Sequence, residues 1–305
     1  MVHETGTLAA TAHVPSALRG VLLVLAAVLV FACMDTAGKY LMTKFNVPLV
    51  AAVRYGLNLV FLVMLMAPRH GRDLWKTHRT GLVLLRGSSL AAATFFAGLA
   101  LQRMPVGETV AILYLQGFGI MLAAGFFLGE RVSPAGWITA VAGFAGVLLI
   151  ARPGGALAPL GVVFALTCAS VSVVYILLSR SLATTESTMA MLFHVAINGT
   201  ILFGVLLLFN WQTFSFTPLD IVLLVFIGAA SLAGHFLLTS AYRFAPASML
   251  APFNYFHIAF AVILGWLVYN HVPDGWALTG MAMIAISGAA IAIHTHLSKS
   301  IAKEA

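Results

Sequence analysis

Arg54 and Asn58, and again His194 and Asn198, lie four residues apart inside runs that are otherwise apolar. That interval puts each pair on one face of a helix. Tyr114 and Tyr255, and Gln116 and His257, sit at matched positions separated by a constant 141 residues. These are groups that hold and release a ligand. An arginine fork receives a carboxylate, an amide offers both donor and acceptor, and a histidine titrates near neutral pH. Bond-breaking chemistry would need a different set. The patterns HExxH, GxGD and GxSxG are absent, which argues against an intramembrane enzyme. Cys33 and Cys168 both fall in apolar runs with no CxxC spacing, so neither a metal site nor a disulfide is expected. No cofactor is expected either.

Several of these residues have two readings. Asp35 precedes Lys39 by four residues. It is either a local ion partner of Lys39, or a carboxylate that faces a cavity and meets a cationic ligand or Arg54. Arg86, about two turns from the end of its run, reads as an anchor snorkelling to the membrane surface. Glu108 opens an apolar run, where an acid suits the helix dipole; it reads as a cap first and a proton-linked group second. His194, His235 and His257 are either structural or coupled to protons. Asn58, Asn198 and Gln116 either contact a ligand or join helices by hydrogen bonds. Phe31, Phe95, Tyr114, Tyr175, Tyr255 and Phe236 are candidate aromatic walls, with Asn254 beside Tyr255. Pro252 predicts a kink, because it removes a backbone hydrogen bond.

The elements that must position these groups follow from composition. Of the 305 residues 61% are hydrophobic and 8% charged, with mean hydropathy +1.02. Such a chain cannot cover itself with polar surface and reads as an all-α polytopic membrane protein. The net charge of +7 fits loops facing anionic lipid, not nucleic acid. Apolar runs of bilayer length are expected at 19–41, 48–67, 80–101, 106–128, 133–150, 157–179, 187–209, 219–240, 247–269 and 274–294. With a cytoplasmic N-terminus, ten Lys and Arg residues fall in inside segments and four in outside ones. The "RHGRDLWKTHR" cluster is the strongest anchor, and the count places both termini inside. No cleaved signal peptide is expected.

The ten runs divide into two sets of five. Gly20 matches Gly161, Lys39 matches Arg180, Gly87 matches Gly228 and Phe95 matches Phe236 at the 141-residue interval. In the second run of each half the interval slips to 140, aligning Arg54 with His194 and Asn58 with Asn198. Five is odd, so the second half enters the membrane inverted relative to the first. The expected organisation is an N-terminal tail at 1–18, repeats at 19–152 and 153–296, and a C-terminal tail at 297–305. Asn58, Gln116, Asn198 and His257 lie about ten residues into their runs, near the membrane midplane at about 1.5 Å per residue. The hairpins at Pro105 and Pro246 are natural pivots.

The stretch "LGERVSPAGWITAVAGFAGVLLIARPG", Leu128 to Gly154, resembles the EamA-type repeat of the drug/metabolite transporter superfamily, as does "ALQRMPVGETVAIL" before it. The second copy, "VYNHVPDGWAL", departs from the pattern with Asn270 where the signature has Glu130. The resemblance implies a ten-helix inner-membrane transporter with a central cavity, lined by the first four helices of each half. Glu130 reads as a cytoplasmic loop element. Among family members the chain is most similar to bacterial exporters of neutral or aromatic amino acids. Arg54 would take the carboxylate and Asp35 or aromatic faces the ammonium. The partners implied are an amino acid and the lipid bilayer; no nucleic acid and no second copy are required. The rival cargoes are S-adenosylmethionine, nucleotide-sugars or a cationic drug. A nucleotide-sugar should need several deep cations, whereas Arg54 alone reads as deep. A channel is the remote alternative.

Overall fold

Lipid offers the backbone no hydrogen-bond partner, so an apolar run that crosses it must coil on itself. In a computed structural model the chain does so throughout. The structure describes residues 13–127, 134–152, 155, 157–245 and 247–304. The Glu130 turn and Pro246 therefore lie outside the described residues. The helices are α1 His13–Lys44, α2 Val47–His70, α3 Thr80–Arg103, α4 Val106–Leu113, α5 Gln116–Phe127, α6 Pro134–Ile150, α7 Pro159–Leu182, α8 Thr188–Phe209, α9 Pro218–Ala241, α10 Ala247–Asn254, α11 Phe256–Tyr269 and α12 Gly275–Glu304. A 3-10 turn, Gly71–Leu74, follows α2. Among the described residues nine segments are long and apolar enough to cross a membrane, and α6 is a shorter apolar helix.

Two expected runs are not continuous. The run at 106–128 is split into α4 and α5 at Tyr114, and the run at 247–269 is split into α10 and α11 at Tyr255. Both breaks tighten into i→i−3 bonds: Leu115 N–H donates to Ile112 O at 3.0 Å, and Ile258 N–H to Tyr255 O at 3.1 Å. Pro252 explains one break, since its nitrogen cannot donate to the preceding turn. The kink expected at Pro252 falls three residues later. The other break lies just before "LQGFG", where Gly117 and Gly119 weaken helix continuity.

The halves interleave instead of packing as separate bodies. α1 packs along α9 and, equivalently, α3 along α7; α2 packs on α8 and α6 on α12. In the α6–α12 pair, small residues allow the backbones to meet. A Cβ placed at Gly280 would lie 2.4 Å from the Gly146 carbonyl oxygen.

Each end of the bundle carries a clasp between the halves. At one end Lys44 of α1 pairs with Asp220, which is buried at the start of α9 and forms a capping box with Thr217. At the other end Glu186, between α7 and α8, accepts the backbone N–H groups of His78 at 3.0 Å and Arg79 at 2.6 Å. Those groups precede α3, whose own N-cap, Arg79, supplies no side-chain acceptor. Thus a carboxylate from one half caps a helix of the other.

Two outcomes follow. Gly280→Leu forces α6 and α12 apart and should cost about 1–3 kcal/mol, the scale of overpacking, read as a lowered unfolding midpoint in detergent. Burial pushes the Glu186 carboxyl up, but the His78 and Arg79 amides outweigh it and hold it below its ordinary 4.5. Its stabilisation is whole above that value and lost as pH falls through the lowered folded value. Acidification below pH 4.5 should depress the melting temperature of the parent protein more than that of Glu186→Gln.

Candidate functional site

The two helix breaks meet at the centre of the molecule. The rings of Tyr114 and Tyr255 are 5.1 Å apart. Tyr114 donates its hydroxyl to the carbonyl of Asn254 at 2.7 Å, satisfying an orphaned acceptor at the end of α10. His257 follows at the start of α11. Its ring centroid lies 5.9 Å from Tyr114 and 6.3 Å from Phe31, and its Nε2 is 3.3 Å from the Asp35 carboxylate. The contact is at ion-pair distance but not aligned as a hydrogen bond, so Nε2 has no bonded partner.

Asp35 therefore takes neither partner expected of it. Lys39 turns instead to the carbonyl ends of α3, donating to Leu101 O at 2.8 Å and Met104 O at 2.7 Å. Those carbonyls have no intrahelical donors and draw the ammonium in. Arg54 donates through Nη2 to Thr94 Oγ1 at 2.9 Å and lies 5.0 Å from the Tyr55 ring centre. Asp35 and Arg54 nonetheless line one cavity of about 180 Å³, together with Thr94, Cys168, Ser172 and an apolar wall from α1 and α3.

Arg86 is not a snorkelling anchor. It is 5% exposed and donates to Ser179 Oγ at 2.7 Å, Tyr175 OH at 3.0 Å and Met191 O at 3.2 Å. Its guanidinium also lies 4.7 Å from the Tyr175 ring centre. Hydroxyls on α7 and a carbonyl on α8 solvate the charge within the bundle, so the side chain has no reason to reach for the surface. The protein thus holds two deep arginines. Glu108 is likewise more than a cap: its buried carboxylate meets His271 Nε2 at 2.7 Å.

The remaining candidates separate into two groups. Asn58 donates to Ser231 Oγ at 3.2 Å, and its Oδ1 is buried without a partner. The His235 ring lies 5.1 Å from Phe31 of α1. Gln116 is half-buried at the start of α5. None of these three lines the cavity itself. Asn198, by contrast, joins helices through Leu84 O and Ser88 Oγ, and His194 bonds Ala190 O one turn back on its own helix. Phe95 packs on Phe96, and Phe236 is 67% exposed on the outside of α9. The sequence symmetry of Arg54 with His194, and of Asn58 with Asn198, is not a symmetry of roles. Thr94, Ser172 and Ser231 were missed: lone hydroxyls in apolar helices give no spacing signal.

The Lys39 end is shut. α4 lies against α11, Tyr269 donates to Thr36 O at 2.6 Å, and Gln102 donates to Met42 O at 2.6 Å. At the opposite end the equivalent closure is missing among the described residues. α5 makes no comparable packing with α10, and Arg180, the match of Lys39, is exposed.

Tyr114→Phe should cost about 1–2 kcal/mol by leaving the Asn254 carbonyl unpaired, measurable as a lowered unfolding midpoint in detergent.

The model of the EamA-like transporter family matches residues 18–152 and 159–293. A riboflavin transporter of Vibrio cholerae is 27% identical over 290 residues, covering 90% of this chain and 93% of that protein. An S-adenosylmethionine uptake transporter of Rickettsia bellii is 26% identical over 251 residues, covering 82% and 85%. A protein of known crystal structure shares the fold with a TM-score of 0.66 at 20% identity, covering 92% of this chain and 98% of that one.

Proposed function

Since the chain belongs to the EamA-like transporter family, we propose that it takes up a flat nitrogen heterocycle bearing a sugar-derived chain, riboflavin foremost, by alternating access. It is an integral, multi-pass protein of the inner membrane. The observation that carries the reading is the polar equipment beside the breaks. Arg54 presents guanidinium donors beside the Thr94 hydroxyl, Asn58 presents a buried acceptor with no partner, and Phe31 and Tyr114 supply rings nearby. An imide edge needs donors and an acceptor side by side, and a conjugated ring needs aromatic walls. The similarity to the riboflavin transporter runs the length of both chains, and the S-adenosylmethionine carrier also moves a heterocycle with a ribose.

The two halves, 19–152 and 153–296, rock about the cavity, with both termini in the cytoplasm. The Arg79 end is then cytoplasmic, and this is the state closed to the outside. A cavity of about 180 Å³ is smaller than most ligand pockets, which run from about 300 Å³ upward; the cargo enters as the helices part. A second reading, export of neutral or aromatic amino acids, is favoured by Asp35 and Arg54 lining one small cavity, where they match an ammonium and a carboxylate.

Proteoliposomes separate these readings. Saturable riboflavin uptake above empty vesicles is expected, and Arg54→Ala or Asn58→Ala should lower it about tenfold, the loss of about 1.4 kcal/mol of binding. Flux of phenylalanine without riboflavin would select the second reading. Flux of neither overturns both.

A further inference from the structure

α11 is clasped at both ends by a histidine facing a carboxylate from another helix. At its start His257 meets Asp35 of α1 at 3.3 Å. Just past its end His271 meets Glu108 of α4 at 2.7 Å. The second contact depends on how α11 stops. Asn270 adopts a left-handed conformation, φ 52°, and its N–H bonds back to Trp266 O at 2.9 Å, while His271 N–H reaches Gly265 O at 3.3 Å. This helix-ending turn aims the His271 ring at α4. Both acids are largely withdrawn from solvent, and Glu108 Oε2 has no partner.

The symmetry of the chain makes the pattern informative. At the 141-residue interval His257 is matched by Gln116, Asp35 by Ile176 and Glu108 by Met249. Those three matches do not titrate, whereas His271 is matched by Glu130, which lies outside the described residues; among the described residues α5 and α10 lack the packing that α4 and α11 have. At the opposite end the histidine–carboxylate contact is His78 with Glu186 at 3.8 Å, between α7 and α8 and the segment before α3; the two contacts that flank α11 lie where the bundle is shut.

We propose that the two histidine–carboxylate contacts are a proton-binding device that couples protons to the alternation of the carrier. Protonation converts both contacts into charge-assisted pairs and holds α11 against α1 and α4. Opening the Lys39 end parts each imidazolium from its carboxylate, so the protonated protein loses two pairs on opening and favours the shut state. The surroundings set the balance. Around the first pair are Tyr114 from the α4–α5 break, Arg54 of α2 and Cys168 of α7 in the cavity shared with Asp35, and His235 of α9 through Phe31. Around the second are Lys39 and Tyr40 of α1, Tyr269 of α11 and the Arg152–Asp274 pair. Lys39 acts on Glu108 but is held by the Leu101 and Met104 carbonyls, which leaves the carboxylate to His271.

The proposal rests on the alternating-access reading but not on the cargo. Hydrogen–deuterium exchange of the full chain in lipid nanodiscs without substrate tests it, at pH 6 and pH 8.5 with labelling times scaled for intrinsic exchange. Amide protection in peptides spanning 104–113 and 264–275 should fall about tenfold or more at the higher pH, a change of about 1.4 kcal/mol. In His257→Gln/His271→Gln that difference should vanish, with low protection at both pH values. If this double variant does not purify folded, Glu108→Gln alone carries the test and should halve the shift on a logarithmic scale. An unchanged parent protein, or a full shift in whichever variant carries the test, overturns the proposal. Loss of riboflavin uptake with the exchange shift intact sinks the cargo and leaves the coupling.

Discussion

A helix interrupted in the membrane exposes backbone groups that lipid cannot satisfy, and the architecture of this protein answers that constraint. α4 and α10 each stop after eight residues. Their loose ends survive because they face each other across the interface of the halves, where Tyr114 supplies the hydroxyl that the Asn254 carbonyl lacks. Neither half could end its fourth helix there alone. The interleaving of α1 with α9 and of α3 with α7 keeps the two breaks in register. The cavity, the paired tyrosines and the Asp35–His257 contact all lie close to that junction.

The same logic recurs at the ends of the bundle, where one half completes the other's helix termini. Glu186 caps α3 from across the interface. Within the first half, Lys39 of α1 likewise fills the carbonyl end of α3. Such contacts are directional and few. They can be exchanged without repacking a core, which suits a molecule that must open at either end. The α6–α12 pair is joined differently, by backbone approach at Gly146 and Gly280, with the Arg152–Asp274 pair at one end.

The helices were legible because bilayer crossing imposes a length. The run expected at 80–101 is α3 Thr80–Arg103, and that at 187–209 is α8 Thr188–Phe209. The family was legible from the Leu128–Gly154 stretch. What a single sequence hides is the partner across the interface. Arg86 looked like an anchor because distance to the helix end was visible and the hydroxyls of Tyr175 and Ser179 on α7 were not. Lys39 was the nearest cation to Asp35 along the chain, but the free carbonyls of α3 outcompete a local pair. The break at Tyr114 had only a glycine-rich stretch to announce it, whereas Pro252 marked its counterpart.

Duplication gives a carrier two equivalent ends; a working carrier must make them unequal. Here the inequality is chemical more than geometric. Arg54 and His194 are aligned in sequence, yet one binds Thr94 in the cavity and the other its own helix. Gln116 and His257 follow equivalent breaks, yet only His257 meets an acid. A symmetric bundle would rest equally in either state, and any ligand bound midway would favour neither. A charge that pairs at one end alone tilts that equilibrium by its own free energy of pairing. Direction in such a protein therefore resides in the few positions where the second copy failed to repeat the first.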